Sequence, residues 1–193
     1  LQTVLLPKPE GVTSCKVNDR IILPSGKEFI ATQCGLFFKS KSDKEYMFKE
    51  IYYRNEKQEL TSIFLSKQNI IYIGTNRTVF TLDTNTIQFS TIVTNKETQK
   101  EDFYFKPVSR VNSITAINHK GQSYIAATFY GHYSALINPT KKNVVYILPD
   151  TWNKEIFYDN LPRKLFVDSK NNFWYCGATN GITKWFLPDD NSL

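Results

Sequence analysis

The stretch Leu165-Phe-Val-Asp-Ser-Lys-Asn-Asn-Phe-Trp-Tyr-Cys-Gly-Ala-Thr-Asn-Gly-Ile-Thr-Lys-Trp185 decides the fold. Its short apolar runs are broken by Asp, Ser, Asn and Gly at intervals too short for helices and suited to strands joined by tight turns. Three upstream segments read in the same register: Arg20-Ile-Ile-Leu-Pro-Ser-Gly-Lys-Glu-Phe-Ile-Ala31, Ser62-Ile-Phe-Leu-Ser-Lys-Gln-Asn-Ile-Ile-Tyr-Ile-Gly74 and Ser113-Ile-Thr-Ala-Ile-Asn-His-Lys-Gly-Gln-Ser-Tyr-Ile-Ala126. Each is a strand, a polar turn, a second strand and then a small residue.

Aligned on Ala31, Gly74, Ala126 and Gly177, the units lie 43, 52 and 51 residues apart. That period is the length of one four-stranded propeller blade. The fold class expected is therefore all-β, with about four four-stranded antiparallel blades forming either a complete small propeller or a slice of a larger one. A single domain spans 1–193, with blades at 15–56, 57–107, 108–158 and 159–193. Inner strands converge on a propeller axis, so small residues at the recurring position let them approach. The aromatics just before them, Phe29, Tyr72, Tyr124 and Trp174, are expected to fill the gaps between neighbouring blades.

A third apolar strand follows in every unit: Gly35 to Phe38, Thr78 to Leu82, Tyr133 to Ile137 and Gly181 to Trp185. A more variable fourth strand is expected at Phe48 to Tyr53, Ile87 to Val93 and Asn143 to Leu148, and the last unit lacks one. Gln2 to Leu6, within residues 1–8, can supply it and close the ring, removing the sheet edges that invite aggregation. Alternatively, Thr3 to Leu6 ends a preceding blade. Both readings stand at this stage.

Bulk properties narrow the function. With 41% hydrophobic and 22% charged residues, the chain can bury a core. The formal charge of +6 is spread thinly. Its densest basic pieces, Lys39 to Lys44 and Lys141-Lys142, fall in turns where lysine is solvated, so nucleic acid is not an expected partner. Cys15, Cys34 and Cys176 have no Cys-x-x-Cys spacing, and only His119 and His132 could join them, so no local zinc site is encoded. Cys34 and Cys176 sit in apolar strand-like runs and read as buried free thiols, which leaves the redox compartment undecided. No apolar run is long enough to span a bilayer, so any membrane attachment is expected through flanking segments absent from this chain.

The fourth unit resembles the two-component regulator propeller repeat, whose pattern is an apolar pair, Asp-x-x-Gly, an apolar-Trp-apolar strand, Gly-Thr-x-x-Gly and Leu. Asp168, Trp174, Gly177, Asn180 and Gly181 fit; Asn172 takes the place of the turn glycine and Ala178 that of the threonine. The second unit keeps Tyr72, Gly74 and Thr75 but has Arg77-Thr78 where the second glycine falls. The first keeps Gly26 and Gly35-Leu36, and the third, with Phe129-Tyr130 inserted before Gly131, diverges most. The resemblance implies a periplasmic or extracellular ligand-sensing region of a histidine kinase or hybrid two-component system, responding to carbohydrate. Any kinase or receiver would lie outside this chain.

Catalytic signatures are missing: there is no Gly-x-Ser-x-Gly elbow, phosphate-cradling glycine loop, His-Glu-x-x-His or dinucleotide fingerprint. No enzyme activity, catalytic residue or cofactor is expected. Asp168 occupies a repeat turn and Asp189-Asp190 a polar tail, which argues against paired glycosidase carboxylates. A weaker alternative is a propeller lyase resembling the streptogramin lyases, whose clustered His and Glu this chain supplies poorly. Propellers present ligands where loops after the inner strands converge. Those loops hold Gln33, Asn76, Arg77, Phe129, Tyr130, His132, Thr179 and Asn180: an aromatic platform for sugar rings, amides for hydroxyls, and a guanidinium for a carboxylate or sulfate. The same residue types also serve ordinary turns. The expected ligand is an oligosaccharide, including an anionic one. The alternative role is a non-catalytic scaffold for another protein or for a homodimer.

Overall fold

In a computed structural model of the chain, the described residues are 6–12, 14–92, 110–130, 133–140, 143–147, 162–177 and 181–185. They form strands and turns, with no helix among them. The first sheet contains β1 (Val17–Ile22), β2 (Glu28–Thr32), β3 (Leu36–Lys39) and β4 (Met47–Lys49). A two-stranded ribbon, β5 (Tyr52–Tyr53) and β6 (Glu56–Lys57), leads to the second sheet. That sheet contains β7 (Leu60–Leu65), β8 (Ile71–Thr75), β9 (Val79–Asp83) and β10 (Gln88–Thr91). The third has β11 (Val111–His119), β12 (Gln122–Phe129), β13 (Tyr133–Asn138) and β14 (Asn143–Ile147). The fourth has β15 (Pro162–Val167), β16 (Phe173–Gly177) and β17 (Ile182–Trp185).

Every sheet is an antiparallel meander whose spatial order follows the sequence. The hairpins between the first two strands follow from their turn residues. In three of them a turn is closed by a residue in the left-handed region: Gly26 at φ 82°, Asn69 at 61° and Asn171 at 61°. Glycine and asparagine tolerate that conformation best. The left-handed position in the fourth turn is thus Asn171, one residue before Asn172, which was matched to the repeat's glycine. In the third turn Lys120 and Gly121 both have positive φ, as a two-residue hairpin loop requires. The fourth strands are shorter than expected: Met47–Lys49 in place of Phe48 to Tyr53, and Gln88–Thr91 within Ile87 to Val93. The closing strand expected at Gln2 to Leu6 falls almost wholly outside the described residues.

The sheets stack face to face, with first strands β1, β7, β11 and β15 as successive neighbours. Side-chain alternation on a strand aims neighbouring residues at opposite faces. On β8, Ile71 and Ile73 join Phe29, Ala31, Leu36 and Phe38 of the first sheet, whereas Tyr72 joins Val111, Ile125 and Phe129 of the third. Tyr124 and Ala126 of β12 meet Leu165, Phe173 and Tyr175 of the fourth. Phe29, Tyr72 and Tyr124 therefore fill inter-sheet cores. Trp174 instead stacks on Phe166, ring centroids 6.0 Å apart, and donates from Nε1 to Asp168 Oδ2 at 2.9 Å.

The small-residue register holds for two units and shifts in two. All four first strands carry a bulge near their start. Just past it, Asp19 faces Ala31 and Ser62 faces Gly74, but Ser113 faces Thr128 and Lys164 faces Cys176. Ala126 lies two residues from the equivalent place and Gly177 one residue. The run Ala126-Ala127-Thr128 offers small residues at successive positions, so sequence similarity had no means of fixing the register there. Cross-sheet hydrogen bonds follow the bulge. Asp19 Oδ2 accepts from Ile63 N at 3.0 Å, and Ser113 Oγ accepts from Leu165 N at 3.2 Å. Gly74 does have to lack a side chain: a Cβ there would lie 2.5 Å from Ser62 Oγ and 2.6 Å from Val111 Cγ1.

The reading of Cys34 as a free thiol is corrected. Cys15 and Cys34 form a disulfide, Cα atoms 5.6 Å apart, clipping the approach to β1 onto the β2–β3 turn; Cys176 is free. The 19-residue separation hid a pairing that the antiparallel return of β2 beside β1 creates.

Candidate functional site

The first strands expose two ends of the stack. At the end where they begin, the β2–β3, β8–β9 and β12–β13 turns fold back over the residue preceding each first strand. Gln33 N donates to Lys16 O at 2.9 Å, Asn76 N to Glu59 O at 3.1 Å and Tyr130 N to Arg110 O at 2.7 Å. Three of the expected site residues thus hold one equivalent place in three successive sheets. The sheets build it with a buried threonine where they have one. Thr32 Oγ1 accepts from Cys34 N and Gly35 N, and Thr75 Oγ1 from Arg77 N and Thr78 N, at 2.9–3.2 Å.

The side chains at this end differ in availability. Arg77 Nη2 pairs with Glu56 Oε2 at 3.1 Å, and Arg110 Nη2 with Glu59 Oε1 at 3.3 Å. Asn76 Oδ1 accepts from Glu59 N at 3.2 Å. Gln33 is exposed and Tyr130 is half exposed. Phe129 is only 4% exposed and packs against Val111 and Tyr72, so its ring is a core element and not a platform. Pairing with Val111 just before the bulge puts it where Thr32 and Thr75 sit in the earlier sheets, a placement invisible without the pairing register. His132, Thr179 and Asn180 lie outside the described residues.

At the opposite end, where the first hairpins turn, sequence reasoning foresaw no site. Here a cleft of about 430 Å³ opens between the β7–β8, β11–β12 and β15–β16 hairpins. Phe64, Ala116 and Val167 contribute to its lining from the first strands, with Lys67, Gln68 and Ser169 from the turns. A second depression of about 430 Å³, lined by Ile70, Tyr72, Gln122 and Asn138, adjoins it and shares Gln68 and Ser123. One wall is pinned across sheets: Asn171 Nδ2 donates to Asn118 O at 2.6 Å, and Asn118 N to Asn171 Oδ1 at 3.3 Å. Asp168 is fully engaged within its own turn. Its carboxylate accepts from Asn172 Nδ2, Trp174 Nε1, Asn172 N and Lys170 N, all at 2.8–2.9 Å. Those donors, the Asn172 and Trp174 side chains first among them, hold its pKa well below the usual carboxylate range.

Among the described residues, no three His, Cys, Asp or Glu side chains gather to hold a metal ion, and no helix is long and apolar enough to cross a membrane.

No family model matches the sequence, and no curated protein matches it. Solved structures do. The chain superposes on the extracellular domain of the hybrid two-component system BT4673 from B. thetaiotaomicron with a TM-score of 0.70 at 15% identity, covering 93% of this chain and 22% of that one. The extracellular domain of the hybrid two-component system BT3049 from the same organism gives 0.56 at 23% identity, over 81% of this chain and 18% of that one. Virginiamycin B lyase from Staphylococcus aureus gives 0.60 at 13% identity, over 93% of this chain and 57% of that one. The first two belong to the class of proteins whose repeat the fourth unit resembles. The chain spans about a fifth of the length of those sensor domains.

Proposed function

We propose that the chain is part of the extracytoplasmic, ligand-sensing region of a two-component signalling protein, its sheets being radial blades of a propeller and its ligand a carbohydrate. The observation that carries the reading is the superposition of nearly the whole chain on an extracellular sensor domain. The side-by-side first strands and the core between each pair of sheets support the radial arrangement, with blades at 15–56, 57–107, 108–158 and 159–193. The Cys15–Cys34 disulfide supports an oxidising compartment such as the periplasm or cell exterior. In this reading the module has no catalysis of its own and passes a binding event to segments outside the chain. Gln33, Asn76, Arg77 and Tyr130 are the described residues proposed to meet ligand at the strand-start end, with Arg77 suited to an anionic group once it leaves Glu56.

The test is a thermal-shift screen of a glycan library against the 193-residue chain. A ligand that binds only the folded state raises the melting temperature by mass action. A specific saccharide that does so supports sensing; silence across the library refutes it. A second reading, a protein-interaction or dimerisation scaffold, draws on apolar side chains left open on the last sheet: Phe166 is 40% and Ile182 63% exposed. A stable dimer in sedimentation together with silence in the glycan screen would favour it.

A further inference from the structure

The two-lobed groove at the hairpin end is explained neither by core packing nor by turn formation. Tight hairpins satisfy their own backbone, as Asn69 N donating to Ser66 O at 3.0 Å and Ser66 N to Ile70 O at 2.9 Å illustrate. Gln68, in the middle of that turn, contributes nothing to those bonds, yet it lines both lobes. Among the described residues, the side chains of Gln68, Ser123, Ser169 and Thr115 have no hydrogen-bond partner in the protein. The groups around them are already satisfied: Asp168 by four donors, and Asn171 by the backbone of Asn118. The groove therefore combines a rigid wall, uncommitted hydroxyls and an amide, and apolar surface from Phe64, Ala116 and Val167.

We propose that this groove is a second ligand site, on the end opposite Arg77, that takes an uncharged linear oligosaccharide. Its chemistry selects the ligand class. Serine, threonine and glutamine side chains each donate and accept, matching sugar hydroxyls, which do the same. The Phe64 ring and its aliphatic neighbours suit the apolar face of a sugar ring. Lys67 and Asp168 bring one charge of each sign, so the lining carries no net charge to favour an anion. Each lobe falls within the volume range of small-molecule pockets, and the shared Gln68 and Ser123 make the pair continuous, which suits a chain of rings better than one ring. The walls come from three sheets, so occupancy bridges their hairpins and gives the stack a means of responding to ligand as a unit.

The inference rests on the carbohydrate-sensing reading and is tested separately from it. Neutral gluco-, xylo- and manno-hexaoses and, in parallel, sulfated oligosaccharides are titrated calorimetrically into the 193-residue chain and into Gln68→Ala, Ser169→Trp and Arg77→Ala variants whose circular dichroism and melting match the parent. Ser169 is an exposed turn residue, so tryptophan there obstructs the groove without entering a core. The expected result is that a neutral hexaose binds and that Gln68→Ala and Ser169→Trp each weaken it by about tenfold or more, as loss of a direct polar contact or a steric block demands. Neutral binding that resists both groove variants and falls with Arg77→Ala overturns the groove and leaves sensing intact, as does binding of sulfated chains alone. Binding of no oligosaccharide of either kind overturns both.

Discussion

Three equivalent residues at the bulge of successive first strands make a sharp comparison. Asp19 and Ser113 each accept a hydrogen bond from a backbone amide of the next first strand, Ile63 N and Leu165 N. Ser62, in the same place on the second sheet, is 4% exposed and its Oγ has no partner among the described residues. Ser113→Ala leaves a buried amide without that acceptor, and a lost buried hydrogen bond costs about 1–2 kcal/mol. For a domain of this size, that lowers the melting temperature by about 2–8 °C. Ser62→Ala removes a buried hydroxyl with no partner, so its effect is within about 0.5 kcal/mol of zero or stabilising. Because stacked units are stabilised mainly by their nearest-neighbour interfaces, Ser113→Ala also reduces hydrogen-exchange protection in β15–β17 before it does so in β1–β4. Denaturant melts and exchange mass spectrometry on both variants measure this. Equal losses for Ser62→Ala and Ser113→Ala would refute the reasoning, because the assigned equivalence predicts one bond in one case and none in the other.

Gly74→Ala is expected to destabilise by about 1–3 kcal/mol, since its methyl meets Val111 and Ser62 in a packed interface. Combining it with Val111→Ala in a double-mutant cycle should recover part of that loss, and strict additivity in denaturant melts would count against the close approach. Reducing the Cys15–Cys34 bond, or replacing Cys34 by Ser, should cost about 3 kcal/mol for a loop of this length, read as a lower melting midpoint with dithiothreitol than without. Asp168 contributes a pH dependence whose sign is fixed by its depressed pKa. The contribution is present above the ordinary value of 3.8 and is lost as acid protonates the folded carboxylate. An Asp168→Ala variant should therefore show a flatter decline of stability between about pH 5 and about pH 2 than the parent, and parallel acid limbs would contradict the assignment.

The repeat in the amino-acid sequence was enough to establish an all-β chain of consecutive meanders. Alternation, turn residues and a near-constant period are local properties, and the strands fall within a few residues of where Ile63, Tyr72 or Tyr124 led one to expect them. The Tyr72 and Tyr124 cores were legible for the same reason, because a residue's face on a strand follows from parity alone. The places of Gln33, Asn76 and Tyr130 at one strand end were likewise readable from their position after the second strand.

Tertiary structure decided what depends on pairing across distance. All four first strands carry the same one-residue irregularity, but the small residues fall at different distances from it, so Thr128 and Cys176, and not Ala126 and Gly177, stand opposite the residue just past the bulge. The same register places Phe129 at the buried position that Thr32 and Thr75 hold in the earlier sheets. Cys15 meets Cys34 because β2 returns antiparallel beside β1. The groove on the hairpin end exists only because three separate turns, Gln68, Asn118 and Ser169 among their neighbours, converge when the sheets stack. Periodicity specifies what each strand is; the register and the stacking, set by packing between residues about fifty positions apart, determine which side chains meet.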